Sequence, residues 1–238
     1  MTPVICAFYN KSKIKHIVKQ ITSQTNRLYL WALEDKPSKD TEPYIQGRGM
    51  RPMYEAWDSL LDLCNDASEA VCLVDDLELP DNWLTDFTTA SQYIKADMAG
   101  AAITEDSETQ QPFMVKRPEL SFRRVNWVGV YAIYFSRYAL DRLRPFGPQA
   151  QPGGWGMDMK LAQQCDNYGL SQYVVDAYPV KHTRPVADLY DKSLALKEHN
   201  RWMLEHNIKS RQPIALDRYH NPIIPRVREK GDINHGKD

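Results

Sequence analysis

Short apolar runs alternate with helix-like stretches along the first part of the chain. The runs at 4–9, 28–33 and 71–74 are bounded by polar residues, as is typical of buried strands. Between them, apolar residues recur every three or four positions in 12–21 and 50–63, which predicts helices. Strands that alternate with helices predict a mostly parallel sheet with helices on both faces, and therefore an α/β fold.

The second half of the chain is less regular. Apolar runs predict strands at 96–103, 127–136 and 173–177, and the polar residues 104–111 predict an exposed loop. The helices expected here lie at 137–143, 156–168 and 187–206. At 238 residues the length fits one large domain. We expect an α/β domain over residues 1–185. Over 186–238 we expect a C-terminal helix and an irregular tail that both pack on that same domain.

Composition excludes several classes of protein. Thirty basic against 31 acidic residues leave a net charge of −1, which gives no general attraction to nucleic acid or acidic lipid. No apolar run approaches the ~18 residues of a membrane span. The first residues have no basic region and predict a strand, so we expect no signal peptide. Four cysteines without a CxxC pair predict buried free thiols. Together these features predict a cytoplasmic protein.

Acidic and polar residues follow the predicted strands at the positions where ligands usually bind. In open α/β sheets, ligands bind outside the carboxyl ends of the strands. Three pairs lie there: Tyr9-Asn10, Glu34-Asp35 and Asp75-Asp76. We therefore expect one polar edge formed by the ends of the first three buried strands.

Three carboxylates stand close together after the strand at 71–74. Asp75, Asp76 and Glu78 would repel one another, so this cluster favours a cation or polar partners. Divalent Mg²⁺ and Mn²⁺ bind one or two carboxylates and complete their coordination with phosphate oxygens and water. His182, beyond a later strand, is a candidate third ligand. The residues alone leave a solvated acidic turn with a helix cap as an equal alternative.

Asp158 opens a predicted helix directly after a glycine-rich stretch, 153–156. The helix dipole stabilises an ionised carboxylate in the first turn, and an ionised carboxylate can accept a proton. Asp158 is therefore either a catalytic base or a structural first-turn acid. No phosphate-binding loop of the GxxxxGK[ST] type, GxGxxG fingerprint, GxSxG elbow or HExxH helix is present in the sequence.

The order of these segments resembles that of the GT-A glycosyltransferases, most closely the family-2-like group. The resemblance covers about residues 3–184. Its most specific part is 73–84, Leu-Val-Asp-Asp-Leu-Glu-Leu-Pro-Asp-Asn-Trp-Leu, which is similar to the metal-binding DxD segment and its continuation. Residues 154–158 resemble the segment that holds the catalytic base. The chain departs from the family at Val74, which replaces the first Asp of DxD, and at Met157, which replaces an acid that often precedes the base.

The resemblance implies a site for the nucleotide-sugar donor. In this family the donor contacts the turn after the first strand, an acid after the second strand and an arginine in the following helix. The residues that the resemblance assigns to donor binding are Tyr9, Asn10, Asp35, Arg51, Asp75 and Trp155.

The resemblance also implies the reaction. A Rossmann-like GT-A domain with a C-terminal helical extension would move a hexose or pentose from a UDP-, GDP- or similar sugar to a hydroxyl group. Asp76, Glu78 and His182 would hold Mn²⁺ or Mg²⁺, and Asp158 would accept the proton in a single inverting displacement. A glycan, a lipid-linked compound, a protein or a modified nucleic-acid base is compatible as acceptor, and so is a homo-oligomer.

Two other functions remain open from the sequence. A sugar-phosphate nucleotidyltransferase on a related fold would need a glycine-rich basic loop after the first strand, where this chain has Lys11 and Lys13 but no glycine. A non-catalytic nucleotide- or carbohydrate-binding protein is favoured by Val74 and Met157.

Overall fold

Strands and helices alternate along the chain in the computed structural model, which describes residues 1–8, 11–33, 39–49, 52–107, 109, 111–146, 156–183 and 192–219. The strands are β1 (Val4–Phe8), β2 (Leu28–Ala32), β3 (Ile45–Arg48), β4 (Glu69–Leu73), β5 (Leu77–Glu78), β6 (Met98–Ile103), β7 (Phe122–Val125), β8 (Ala132–Ser136), β9 (Gln172–His182) and β10 (Ala215–Tyr219). The helices are α1 (Lys11–Thr22), α2 (Met53–Asp62), α3 (Trp83–Tyr93), α4 (Arg137–Leu143), α5 (Met157–Tyr168) and α6 (Lys192–Glu205).

The strands form a central sheet in the order β3-β2-β1-β4-β8-β6-β9-β7-β10, and β5 pairs separately with the end of β9. Along this path the described strands run in one direction except β8 and β7, which are antiparallel to their neighbours. Helices α1 and α2 pack on β1 and β2, α3 packs on β9, and α4 packs on β8. The predicted α/β fold with a central sheet flanked by helices is confirmed. The sheet is mixed: along this path four pairings of the described strands are parallel and four are antiparallel.

The parallel register brings the carboxyl ends of β1, β2 and β4 to one edge of the sheet. Phe8 lies opposite Ala32, and Cys6 lies opposite Leu73. Strands β1 and β4 are buried throughout, and in β2 only Tyr29 is partly exposed, as a sheet covered on both faces requires. The four cysteines are also buried free thiols, as predicted.

Strands β3, β5, β7 and β10 were not predicted. Two of the predicted strands have clearly different bounds in the structure, for identifiable reasons. The predicted strand 127–136 is confined to β8, since its first part packs against the turn at 112–114: a Cβ on Gly129 would lie 3.2 Å from Cγ of Met114. In contrast, β9 continues past Pro179 to His182. Its pairing with β6 shifts register there, and such an irregularity accommodates a proline that cannot donate to the ladder.

The described part of the C-terminal extension packs on the rest of the molecule. In α6, Trp202 and Met203 are buried, and a Cβ on Gly156 would lie 3.1 Å from the Trp202 ring. Strand β10 pairs with β7 in antiparallel register. Residues 220–238 lie outside the described part, so the division into 1–185 and 186–238 stays a prediction. Within the described residues, no helix is both long enough and apolar enough to cross a membrane.

Candidate functional site

Asp76 and His182 meet at the edge of the sheet where β4 ends. Nε2 of His182 lies 3.3 Å from Oδ2 of Asp76, and both side chains are buried. The neighbouring Thr183 donates its N–H (2.9 Å) and its hydroxyl (3.0 Å) to the Asp76 carbonyl. These hydrogen bonds hold the end of β9 against the turn after β4. They bring together an imidazole and a carboxylate from distant parts of the chain.

The electrostatic field at this edge is negative. Asp75 is buried beside Asp76. The pKa of the Cys6 thiol, one strand away, is raised well above its ordinary value by burial first and then by the charges of Asp75 and Asp76. The negative charges of Asp75 and Asp76 therefore favour the binding of a cation at the edge of the sheet where β4 ends.

Glu78 lies on the other face of the short β5–β9 ribbon. The antiparallel register places Leu77 opposite His182 and Glu78 opposite Lys181, and opposed side chains share a face. Lys181 also binds Asp106 at 2.6 Å, and that hydrogen bond, with smaller contributions that include Glu78, raises the lysine pKa. The structure thus brings Asp76 and His182 together without Glu78. Among the described residues, no group of three His, Cys, Asp or Glu side chains is arranged to hold a metal ion.

Asp158 lies in the first turn of α5, two residues after Gly156, where the helix begins. Gly156 has a φ of 93°, and a Cβ there would lie 2.8 Å from Nδ1 of His199, so both conformation and space require glycine. In Asp158, Oδ1 accepts a hydrogen bond from the Met159 N–H (2.9 Å) and Oδ2 accepts one from Nε2 of Gln111 (3.0 Å).

Burial dominates the electrostatics of Asp158. It raises the pKa of the carboxyl to about 6, while the backbone hydrogen bonds at the helix start and the Gln111 amide oppose the shift. From the sequence, the helix N-terminus is expected to lower the pKa of this carboxyl. In the folded protein, desolvation raises the pKa by more than the helix N-terminus lowers it. A carboxylate with a pKa just below neutrality is mostly ionised at pH 7 and is still basic enough to take a proton.

A connected set of side chains joins these two parts of the site, and sequence reasoning missed it. The Tyr131 ring packs on the His182 ring with centroids 5.0 Å apart. Its hydroxyl lies 2.8 Å from Oγ1 of Thr109, which accepts the Gln111 N–H at 2.7 Å. Gln111 then donates to Asp158. No local signal identifies these residues, because a polar stretch of sequence predicts a loop and does not indicate what the loop contacts.

Five of the predicted donor-binding residues lie outside the described part of the chain. They are Tyr9, Asn10, Asp35, Arg51 and Trp155. The sixth, Asp75, is at the edge with Asp76. The assignment of all six to donor binding stays a prediction.

Comparison of the whole fold with solved structures identifies its type. The similar structures include GalNAc-T7 with UDP, GalNAc and Mn²⁺ (13% identity, TM-score 0.56), for which the match covers 86% of this chain and 47% of that one. They also include Mycobacterium tuberculosis glucosyl-3-phosphoglycerate synthase with Mn²⁺, UDP and glucosyl-3-phosphoglycerate (15%, 0.57; 88% and 81% covered). A third is S. aureus TarS 1-349 with UDP-GlcNAc (10%, 0.59; 89% and 68% covered).

These likenesses define the fold alone, since the identities are low. The chain has the GT-A fold, and it spans about half of the GalNAc-T7 chain that it matches. No protein-family model and no curated protein matches the sequence.

Proposed function

We propose that this protein is a glycosyltransferase that moves a sugar from a nucleotide-sugar donor to a hydroxyl acceptor, with a divalent metal ion and inversion at the sugar carbon. The observation that carries the proposal is Asp158. This carboxyl lies at the start of a helix in a GT-A fold, with a pKa of about 6, next to a connected set of side chains that leads to the buried Asp76–His182 pair.

Asp158 is suited to accept the proton of the attacking hydroxyl. Both of its oxygens already accept a hydrogen bond, which fixes the plane of the carboxylate, and each oxygen retains a further lone pair. At pH 7 a carboxyl with this pKa is about nine-tenths ionised. A positioned group of this kind contributes about 10²–10⁴-fold to the rate.

Asp76 and His182 suit a divalent metal ion such as Mn²⁺ or Mg²⁺. One carboxylate and one imidazole form a small donor set, and such ions complete their coordination with phosphate oxygens and water. When bound, the ion would offset the negative charge that develops on the departing diphosphate. Asp76 and His182 would hold the ion, and the hydrogen bonds from Thr183 to the Asp76 carbonyl limit the movement of the turn that carries Asp76.

The donor chemistry is supported by what the similar structures hold. UDP or UDP-GlcNAc is present in all three, and Mn²⁺ in two of them. We therefore propose a UDP-sugar as the first donor to test. Tyr9, Asn10, Asp35, Arg51, Asp75 and Trp155 remain the proposed contacts to the nucleotide and diphosphate.

A donor screen tests this function directly. The melting temperature of the protein is measured with UDP- and GDP-sugars, each with and without Mn²⁺, because a ligand that binds the folded state stabilises it. Release of nucleoside diphosphate from the best donor is then followed for wild type and Asp158→Asn. Stabilisation and turnover that require Asp158 support the proposal.

The other outcomes contradict it. Binding without turnover in the wild type would indicate a non-catalytic binding protein. Release of pyrophosphate from a nucleoside triphosphate and a sugar phosphate would indicate a nucleotidyltransferase. If no nucleotide sugar stabilises the protein and none is turned over, the proposed function is wrong.

A further inference from the structure

The Asp158 carboxylate is held from outside its own helix by Gln111. Nε2 of Gln111 donates to Oδ2 at 3.0 Å, whereas the other oxygen accepts from the Met159 N–H at 2.9 Å. The NH₂ side of the amide is the side that faces the carboxylate favourably, since the opposite orientation would set a carbonyl oxygen against a negative charge. Donation to a carboxylate stabilises its ionised form.

Gly129 supplies the space in which the Gln111 side chain lies. A Cβ on Gly129 would be 1.7 Å from Oε1 of Gln111 and 2.9 Å from its Cδ. No real contact is that short, so a side chain at position 129 would displace the amide. The glycine is therefore explained by the close approach of Gln111.

The backbone that carries Gln111 is fastened at several points. The Gln111 N–H donates to Thr109 Oγ1 (2.7 Å), and this oxygen also lies 2.8 Å from the Tyr131 hydroxyl. Two residues after Gln111, the Phe113 carbonyl accepts a hydrogen bond of 2.7 Å from Nη1 of the buried Arg123. A side chain that starts from a fixed backbone and ends in a fitted niche has little freedom to leave the carboxylate.

We propose that Gln111, seated against Gly129, is a positioning residue that keeps the Asp158 carboxylate ionised and oriented for proton transfer. The proposal rests on the proposed role of Asp158 as base. Gln111 itself is not required to touch the substrate; it acts through Asp158.

Two other titratable groups of the described residues belong to this part of the molecule. Tyr54 of α2 is buried, and the negative charge of Asp158 adds to burial in raising the pKa of its phenol well above the ordinary value, so it is neutral near pH 7. His199 of α6 lies against Gly156 at the start of α5. His199→Gln is therefore the matched control for any change in pH dependence.

The first test compares the pH dependence of kcat for Gln111→Leu and wild type. In wild type, kcat should rise with pH as Asp158 ionises, and this rise is the acid limb of the pH profile. Without the donated hydrogen bond, the acid limb should move to higher pH by about one to two units. Turnover at pH 7 should fall roughly two- to tenfold and recover in large part near pH 9, with the KM for donor unchanged. Gln111→Glu, which sets a second carboxyl beside Asp158, should move the acid limb of the pH profile to still higher pH.

His199→Gln is the control, and it should leave the acid limb at its wild-type position. An acid limb unmoved in Gln111→Leu, or moved by His199→Gln, would overturn the proposal.

The second test uses Gly129→Ala, which disturbs the amide without removing it. This variant should shift the acid limb in the same direction as Gln111→Leu. In the Gln111→Ala background a methyl at position 129 has no amide to displace, and its remaining 3.2 Å contact with Met114 Cγ needs only a small movement of a flexible side chain. The acid limb of the double variant Gln111→Ala/Gly129→Ala should therefore match that of Gln111→Ala alone. Additive losses in the double variant would mean that Gly129 acts by another route, and the proposal would fail.

A measurement without turnover separates this proposal from the proposed function. The pKa of Asp158 is followed by NMR of ¹³C-labelled aspartate carboxyls, with Asp158→Asn to assign the signal. A raised value in Gln111→Leu supports the positioning role even if no sugar transfer is found for the wild type. An active wild type whose Asp158 titrates identically in Gln111→Leu would leave the function standing and refute the positioning role.

Discussion

Nε2 of His182 lies 3.3 Å from Oδ2 of Asp76 where the end of β9 crosses the turn after β4. His182 ends β9, and Asp76 lies in the turn between β4 and β5. Strands β6 and β8 separate β4 from β9 in the central sheet, and the antiparallel pairing of β9 with β5 brings the two residues together. A carboxylate and an imidazole in this position form the part of the candidate site that would meet a metal ion and the donor diphosphate.

Asp76→Asn should lower Mn²⁺-dependent turnover by about 10²-fold or more, because it removes the negative charge of one of the two proposed ligands and so weakens the hold on an ion that would offset charge on the leaving group. The fold should persist, since Thr183 binds the Asp76 carbonyl and not its side chain. Turnover is measured over a range of Mn²⁺ concentrations. Full activity at every concentration would exclude Asp76 as a ligand.

Glu78→Gln is the matched comparison for that variant. Glu78 is exposed and shares a face with Lys181, on the side of the ribbon away from His182. The geometry predicts nearly unchanged turnover and unchanged Mn²⁺ dependence. A loss similar to that of Asp76→Asn would instead support the three-ligand set expected from the sequence.

Asp158→Asn should lower kcat by about 10²-fold or more while donor affinity changes little, because the proton is lost only during transfer. The amide preserves the shape of the side chain but cannot act as a base. Steady-state kinetics and donor titration of the same preparation check this. Equal losses in donor binding and turnover, or near-full turnover, would make Asp158 a structural acid.

The same variant should be more stable than wild type at neutral pH. Burial raises the Asp158 pKa from 3.8 to about 6, so the folded protein binds this proton more tightly than the unfolded chain does. Ionisation of Asp158 therefore destabilises the folded state as the pH rises from about 4 to about 6, and the cost remains above that range.

Thermal unfolding of both proteins across this pH range tests the sign. The advantage of Asp158→Asn should be near zero at about pH 4, should grow up to about pH 6 and should then level off at about 1–2 kcal/mol, less than the full shift implies because the group is partly exposed. An advantage that is greatest in acid would contradict the raised pKa.

Arg123→Met should strongly destabilise the protein. Nε and Nη2 of Arg123 donate to the two carboxylate oxygens of Asp176 at 2.9 and 3.0 Å, and both side chains are buried. Removal of one partner leaves a buried charge without its counterion, at a cost of about 3–5 kcal/mol in the free energy of unfolding.

Arg124→Met is the control in the adjacent position. Arg124 is exposed and lies 3.9 Å from Asp217, so its loss should change the free energy of unfolding by less than about 1 kcal/mol. Urea denaturation of the two variants measures the difference. Similar stabilities would show that the buried pair does not hold this part of the sheet together.

Local patterns in the sequence determined the strand–helix alternation, the buried thiols and the acidic edge of the sheet. The apolar runs predicted at 4–9 and 71–74 supply most of the buried strands β1 and β4, and the carboxyl ends of parallel strands meet at one edge by geometry. The positions of Asp75 and Asp76 could therefore be predicted before any contact was known.

Only the tertiary structure decided which side chains meet there. The pairing of β5 with β9 brings His182 to Asp76 and turns Glu78 toward Lys181. The approach of Gln111 to Asp158, and the burial that raises the pKa of this carboxyl, likewise depend on segments far apart in the chain. Hydrophobic periodicity reports which face of an element is buried, whereas partners and desolvation arise from the packing of several elements at once.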